Sequence, residues 1–151
     1  MQELEYPYNG ELLYQNKKKL KKQLLAQLDE KSCLHKKIAI LGGSTTRDIK
    51  LMLELFLLNY GIKPEFYESE FNQYYQDAMF PNQELEEFAP DVIFLHTSFR
   101  NITQFPALSD TSEAVEELLQ AEYRKYEKMW TRLAQVYHCV IIQNNFEYPY
   151  Y

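Results

Sequence analysis

The segment from Lys37 to Arg47 constrains the fold more than any other part of the chain. Its sequence is Lys-Ile-Ala-Ile-Leu-Gly-Gly-Ser-Thr-Thr-Arg, and an apolar helical stretch follows it directly. A short continuous apolar run is typical of a central strand in a parallel sheet. Parallel sheets bind ligands beyond the carboxyl ends of their strands, so we expect Ser44 at the ligand edge, close to a helix N-terminus.

The rest of the chain continues this alternation of strands and helices. Strands are predicted over 37–41, 64–67, 91–95 and 139–142, and helices over 45–60, 71–78 and 110–137. The alternation predicts an α/β fold with three α/β/α layers and a flavodoxin-like parallel sheet in the order 2-1-3-4. Asn9 and the leucine spacing after it predict an additional N-terminal helix over 9–30. We expect a single domain over 1–151, with its core in 35–151.

The charge balance and the cysteines exclude several classes of protein. The chain has 16 basic and 22 acidic residues, which argues against a broad nucleic-acid-binding surface. No apolar stretch reaches the ~20 residues needed to span a bilayer, and no signal peptide is present, so we expect no membrane association and a cytoplasmic location. Cys33 and Cys139 lack the spacing of a disulfide framework or a zinc site, and we expect no metal ligands.

Ser44 has three possible roles. As the N-cap of the helix that follows, its hydroxyl would accept a hydrogen bond from the backbone N–H of Thr46 or Arg47. The helix N-terminus could instead bind an anion, with Arg47 or Arg100 pairing with a phosphate or carboxylate. A role as nucleophile requires a base within hydrogen-bond reach and donors for the developing oxyanion.

The predicted strand order places the loop after Leu41 beside the loop after Leu95. We therefore expect Ser44 to converge with the polar cluster His96–Asn101 across one crevice. His35 and His138 precede strands and lie at the opposite edge, which leaves His96 as the candidate base or as a buried structural histidine. Arg100 is either a ligand clamp or a member of an ordinary ion pair.

Two segments resemble conserved blocks of the SGNH hydrolases. Gly42-Gly43-Ser44-Thr45-Thr46 is similar to the Gly-Asp-Ser block that carries the nucleophile, and 90–101 is similar to the third block, a strand leading to Gly-x-Asn-Asp. Gly43 stands in place of the aspartate, and no late Asp-x-x-His block precedes Tyr151. With the geometry above, we take Ser44 as the candidate nucleophile and His96 as its candidate base. Substrate or oxyanion contacts are assigned to Gly43, Thr45, Arg47, Arg100 and Asn101.

A second resemblance covers nearly the whole chain. The motifs Lys-Lys-Lys-Leu-Lys-Lys, Ile-Ala-Ile-Leu-Gly-Gly-Ser-Thr-Thr, Phe-Ala-Pro-Asp-Val and Val-Ile-Ile-Gln-Asn-Asn-Phe, with 67–74, are similar to the N-terminal region of FkbH-like proteins. The C-terminal half of these proteins is a haloacid-dehalogenase (HAD) phosphatase of subclass IIIC. The resemblance implies that this chain is an SGNH-like fragment of such a protein. It also implies that the magnesium-binding aspartates lie in the absent phosphatase domain, so no cofactor is expected in this chain.

FkbH-like proteins are associated with loading a glyceryl unit onto an acyl carrier protein in polyketide-type biosynthesis. The resemblance therefore implies a module that assists glyceryl or acyl transfer, with the carrier protein and the phosphatase domain as partners. The first alternative is a non-catalytic module that docks a carrier protein or its phosphopantetheine arm through the lysine-rich helix, although a solvated face is the better explanation of those lysines. The second alternative is an SGNH-type serine esterase.

Overall fold

Four parallel strands form the centre of the computed structural model, which describes residues 1–147. The strands are β1 (Leu34–Gly42), β2 (Ile62–Glu68), β3 (Val92–His96) and β4 (Val140–Gln143). They pair in parallel in the order β2-β1-β3-β4. The predicted α/β fold and the predicted strand order are therefore confirmed.

Helices cover both faces of the sheet. They are α1 (Gly10–Gln27), α2 (Arg47–Asn59), α3 (Tyr74–Met79), α4 (Gln83–Phe88) and α5 (Ser112–Tyr137). Asn9 caps α1 as predicted, since its side chain accepts hydrogen bonds from the backbone N–H groups of Glu11 and Leu12. Within residues 1–147, no helix is both long enough and apolar enough to cross a membrane.

The hydrophobic core has two parts, one for each face of the sheet. On one side, three leucines of α1 pack against Leu55 and Leu58 of α2. On the other side, α3, α4 and α5 cover alternate residues of β1 and β3, including Leu41 and Leu95. The N-terminal helix is thus part of the core, because its apolar face covers α2.

Two local differences from the predicted elements have a clear physical cause. The expected cap of α5, Asp110, accepts the backbone N–H of Ala107 at 2.7 Å and so stabilises the preceding turn. Thr111 caps the helix instead and accepts the N–H of Ala114. The loop expected after Pro81 continues into the short helix α4, which begins because the Asn82 side chain caps it.

The last strand is covered on one face only. Val140 and Ile142 of β4 are 60% and 51% exposed, whereas Ile141 between them packs against the core beneath α5. This alternation follows from the opposite directions of successive side chains in a strand. In the described part of the chain, the face of β4 that carries Val140 and Ile142 is left open to solvent.

Leu133 and Leu119 provide a test of this core on a single helix. Leu133 is fully buried and Leu119 is 60% exposed, although both lie on α5. We expect Leu133→Ala to lower the free energy of unfolding by about 2–5 kcal/mol, because it leaves a cavity. Leu119→Ala should change it by no more than about 0.5 kcal/mol. Urea denaturation of both variants measures the difference, and equal losses would contradict the packing described here.

Candidate functional site

Ser44 and His96 meet at the carboxyl edge of the sheet. The register of β1 and β3 sets Gly42 opposite His96, and the Gly43 N–H donates to the His96 carbonyl at 2.8 Å. Two residues beyond β1, the Ser44 hydroxyl lies 3.4 Å from Nδ1 of His96. Both side chains are half-buried. With Nδ1 unprotonated, the hydroxyl donates to the imidazole, which is the arrangement that a serine nucleophile and its base require.

Ser44 does not cap α2. The helix begins at Arg47, its N-cap is Thr46, and no side chain among residues 1–147 makes a capping bond there. The Thr46 hydroxyl instead donates to Oε2 of Glu68 at 2.7 Å. The capping interpretation of Ser44 is therefore wrong, and its hydroxyl bonds with His96 instead.

Asn101 fastens the loop after β3 to the loop after β1. Its Nδ2 donates to the Gly43 carbonyl at 3.0 Å and to Oδ1 of Asn72 at 3.3 Å. Its Oδ1 accepts the backbone N–H of Ser98 at 2.9 Å. A Cβ on Gly43 would lie within 3.0 Å of this amide, so the contact requires glycine at position 43. Both amide hydrogens of Asn101 are engaged, and the side chain positions Gly43 in this structure.

Backbone amides beside the Ser44 hydroxyl are candidates for binding a developing oxyanion. Among residues 1–147, the N–H groups of Ser44 and Thr45 donate to no protein acceptor. They lie at the break between β1 and α2, where the glycines open the backbone. Backbone N–H donors of this kind stabilise the charge of a tetrahedral intermediate.

Glu68 at the end of β2 holds a fixed negative charge at the same edge. Lys50 donates to Oε1 at 2.5 Å, and Thr46 donates to Oε2. Partial burial raises the pKa of this carboxyl, but the bonds from Lys50 and Thr46 outweigh it, so the pKa of Glu68 is lowered overall. Because this carboxylate lies at the start of α2 and near Arg47, it disfavours a second anion there.

The remaining predicted contacts are exposed. Thr45, Arg47 and Arg100 all face solvent. The Arg100 guanidinium lies over the ring of Phe99, 5.8 Å from its centre. Within the described residues, neither arginine forms an ion pair or a hydrogen bond with Ser44 or His96. Both are available to a ligand at the rim, and neither is built into the Ser44–His96 pair.

A partly buried hydrogen-bond network surrounds Thr97, the residue after His96, and was not predicted from the sequence. The Thr97 N–H donates to Oδ1 of Asn144 at 3.0 Å, and its carbonyl accepts Nδ2 of Asn144 at 2.7 Å. Its hydroxyl accepts from Gln143, which also accepts the indole N–H of Trp130 at 2.6 Å. The sequence shows the polar run Gln-Asn-Asn at the end of the fourth strand, but the hydrogen-bond partners of these side chains could not be identified without the fold.

An apolar cleft of about 540 Å³ lies on the far side of the loop after β3. The loop and α5 form its walls, and the end of β4 forms its base. Its lining is mainly apolar and aromatic: Ile102, Phe105, Pro106, Val115, Leu118, Leu119, Tyr123, Tyr126, Trp130 and Phe146. Within residues 1–147, the buried Tyr126 hydroxyl has no hydrogen-bond partner, and burial raises the pKa of this phenol strongly. The volume suits a small-molecule ligand.

Comparison with known proteins identifies one similar solved structure. It is the N-terminal part of the protein BF1531 from Bacteroides fragilis, described as containing a phosphatase domain and complexed with Mg. The two share 20% sequence identity with a TM-score of 0.67, over 89% of this chain and 34% of that one. This chain therefore spans about a third of that structure, and the likeness establishes the fold. No protein-family model and no curated protein sequence matches the chain.

Alanine substitutions at Gly43 and at Gly10 test the contact between Gly43 and Asn101. We expect Gly43→Ala to destabilise the protein by about 0.5–3 kcal/mol, because the new methyl group must displace the Asn101 amide. Gly10 has no atom within 4 Å of an added Cβ. Gly10→Ala should therefore leave the unfolding midpoint unchanged or slightly raised. Thermal unfolding of both variants is the measurement, and unimpaired Gly43→Ala would argue against the contact.

The lowered pKa of Glu68 predicts a pH-dependent contribution to stability. The folded state holds this carboxyl ionised below its ordinary pKa of 4.5, so the contribution is present at pH 7 and is lost as the pH falls through the folded pKa. Glu68→Gln should lower the free energy of unfolding at pH 7, and its difference from wild type should shrink at acid pH. Glu65→Gln, on the exposed part of β2, is the matched control. Denaturant titrations at several pH values measure both.

Proposed function

We propose that this chain is the SGNH-like N-terminal module of an FkbH-like protein and transfers an acyl or glyceryl group through Ser44. The observation that carries the proposal is the Ser44–His96 pair at the carboxyl edge of the sheet. The resemblance in sequence supports it, as does a structural neighbour described as containing a phosphatase domain. On this proposal, magnesium chemistry belongs to a phosphatase domain and not to the Ser44 site.

The first half of the reaction forms an ester on Ser44. As the Ser44 oxygen attacks the carbonyl carbon of an ester or thioester, Nδ1 of His96 takes the hydroxyl proton. The N–H groups of Ser44 and Thr45 donate to the oxyanion. The intermediate then collapses, the bond to the leaving alcohol or thiol breaks, and the imidazolium returns the proton to that leaving group.

The second half of the reaction releases the group to an acceptor. A thiol, such as the phosphopantetheine arm of a carrier protein, loses its proton to His96 and attacks the ester carbonyl. The serine oxygen departs and recovers the proton. If water attacks instead, the same residues perform the hydrolysis of a serine esterase, so the identity of the acceptor distinguishes these two functions.

The apolar cleft favours an acyl group over a small polar unit. The segment from Thr97 to Ile102 separates the cleft from the Ser44–His96 pair: Asn101 contacts Gly43 on one side, and Ile102 lines the cleft on the other. Neither Ser44 nor His96 lines the cleft, so an acyl chain on Ser44 can bury its carbons against Trp130 and Phe105 only if this segment moves aside. Each buried methylene contributes roughly 0.8 kcal/mol to binding.

A serine-directed fluorophosphonate tests the nucleophile. We expect labelling of the intact chain by one equivalent, located at Ser44 by peptide mapping, and no labelling of Ser44→Ala. His96→Asn should react at least about 100-fold more slowly, because a general base contributes roughly 10²–10⁴ to the rate.

The controls use the same residue types at the opposite edge of the sheet. Ser32→Ala and His138→Asn should label at the wild-type rate, since neither residue reaches the site. An unlabelled wild-type protein, or labelling that survives Ser44→Ala, would overturn the assignment of Ser44 as nucleophile.

The second candidate function is a docking module for an acidic carrier protein. Lys18, Lys19 and Lys22 are exposed on α1 and form no ion pair within residues 1–147, whereas Lys21 pairs with Glu54 at 2.8 Å. In addition, no described side chain bonds to the second ring nitrogen of His96, so the pair lacks the third residue that orients a catalytic histidine. These features favour docking without chemistry.

Charge reversal on α1 tests docking. Lys18→Glu with Lys22→Glu should weaken carrier-protein binding at least tenfold at low salt, with a smaller effect at high salt, because charge complementarity steers association. Lys21 is left unchanged because its replacement would break the pair with Glu54. Lys31→Glu, on the turn after α1, is the control. Calorimetric titration with an acyl carrier protein measures the affinity, and equal affinities for all variants would exclude this surface.

A further inference from the structure

Three side chains with metal-binding atoms lie together at the edge of the sheet opposite Ser44. They are Glu30 in the turn after α1, Cys33 just before β1, and His35 on β1. Their ligand atoms all lie within 4.8 Å of one another. Sγ of Cys33 is 3.5 Å from Nε2 of His35, and Oε2 of Glu30 is 3.9 Å from the same nitrogen.

These separations are close to those of a tetrahedral zinc site. With Zn–S near 2.3 Å, Zn–N near 2.0–2.1 Å and a tetrahedral angle, the sulfur and nitrogen ligands are about 3.5 Å apart. The corresponding separation of a carboxylate oxygen from the nitrogen is about 3.3 Å. The Glu30 oxygen is therefore about 0.6 Å too far from this nitrogen, and its side chain is largely exposed, so a small rotation can close the gap.

Backbone and side-chain hydrogen bonds of the turn hold the three residues in this arrangement. Asp29 organises the turn, because its carboxylate accepts the Lys31 N–H at 3.1 Å and the Ser32 hydroxyl at 2.9 Å. The Cys33 N–H donates to the Asp29 carbonyl at 2.9 Å. Cys33 and His35 are two residues apart where β1 begins, which directs their side chains to the same side of an extended chain.

Lys63 of β2 orients the carboxylate in the manner of an outer-shell partner. Its ammonium donates to Oε1 of Glu30 at 2.6 Å, while Oε2 faces His35. Outer-shell bonds of this kind fix the orientation of a ligand and leave its other atom for the metal. A thiolate and a carboxylate together supply two negative charges, which balance the two positive charges of the cation. The additional positive charge nearby is the Lys63 ammonium, which lies beside Glu30.

We propose that Glu30, Cys33 and His35 bind a zinc ion, with the fourth position open to water. Thiolate, imidazole and carboxylate are the three ligand types that zinc takes in proteins, and the thiolate disfavours Mg²⁺ and Ca²⁺. The site lies across the sheet from the Ser44–His96 pair and is independent of the proposed transfer. The spacing of the cysteines could not predict this site, because the site has only one cysteine and one histidine. Its third ligand is a glutamate from the preceding turn.

Cobalt(II) is the first probe, because a bound thiolate gives a near-ultraviolet charge-transfer band and tetrahedral geometry gives visible d–d bands. We expect the reduced, metal-free chain to develop both signals and to saturate at one equivalent. Zinc should then abolish them by displacing cobalt, and magnesium should not. Saturation without a thiolate band would overturn the assignment of Cys33 as a ligand.

Variants separate this site from other metal-binding groups on the surface. Cys33→Ser and His35→Gln should each lower cobalt and zinc affinity at least tenfold, and Glu30→Gln should do so as well. Cys139→Ser and His138→Asn, which change the same residue types elsewhere, should retain wild-type affinity. The replaced ligands are at or near the surface, and far-ultraviolet circular dichroism verifies that each variant is folded. Unchanged affinity in Cys33→Ser and His35→Gln, or an equal loss in the controls, would overturn the proposal.

Discussion

The parallel pairing of β1 with β3 determines the candidate site. It sets Gly42 opposite His96. A further hydrogen bond, from the Gly43 N–H to the His96 carbonyl, extends the pairing one residue beyond the end of β1. Ser44 is the next residue, and its hydroxyl lies 3.4 Å from the imidazole. Asn101 then holds the two loops together by binding the Gly43 carbonyl. A shift of register by one residue would separate this pair, and for that reason the site depends on the buried strands beneath it.

The features that follow from chain periodicity could be predicted from the sequence. The apolar runs ending at Leu41 and Leu95 marked the central strands, and the alternation with helices implied the strand order that is observed. That order placed Ser44 and His96 at one edge. The caps of α2 and α5 could not be decided in the same way, because other hydrogen bonds engage the candidate capping side chains. The Thr46 hydroxyl donates a hydrogen bond to Glu68, and the Asp110 carboxylate accepts one from the N–H of Ala107.

Sites built from several elements could not be predicted from the sequence, for a related reason. The cleft combines a loop, the apolar face of α5 and the end of β4, and the helix residues that line it have the spacing of ordinary core residues. The Glu30, Cys33 and His35 cluster depends on a turn whose geometry Asp29 sets. In both cases the residue types were visible, but the distances between them arise only from tertiary structure.

The open face of β4 has a consequence for the dynamics of the site. A short edge strand with one exposed face is expected to exchange its amide hydrogens by local opening more readily than the central strands β1 and β3. Thr97 is joined to Asn144 by two hydrogen bonds and to Gln143 by a third. Opening of β4 and of the residues that follow it is therefore expected to release Thr97, the residue next to His96.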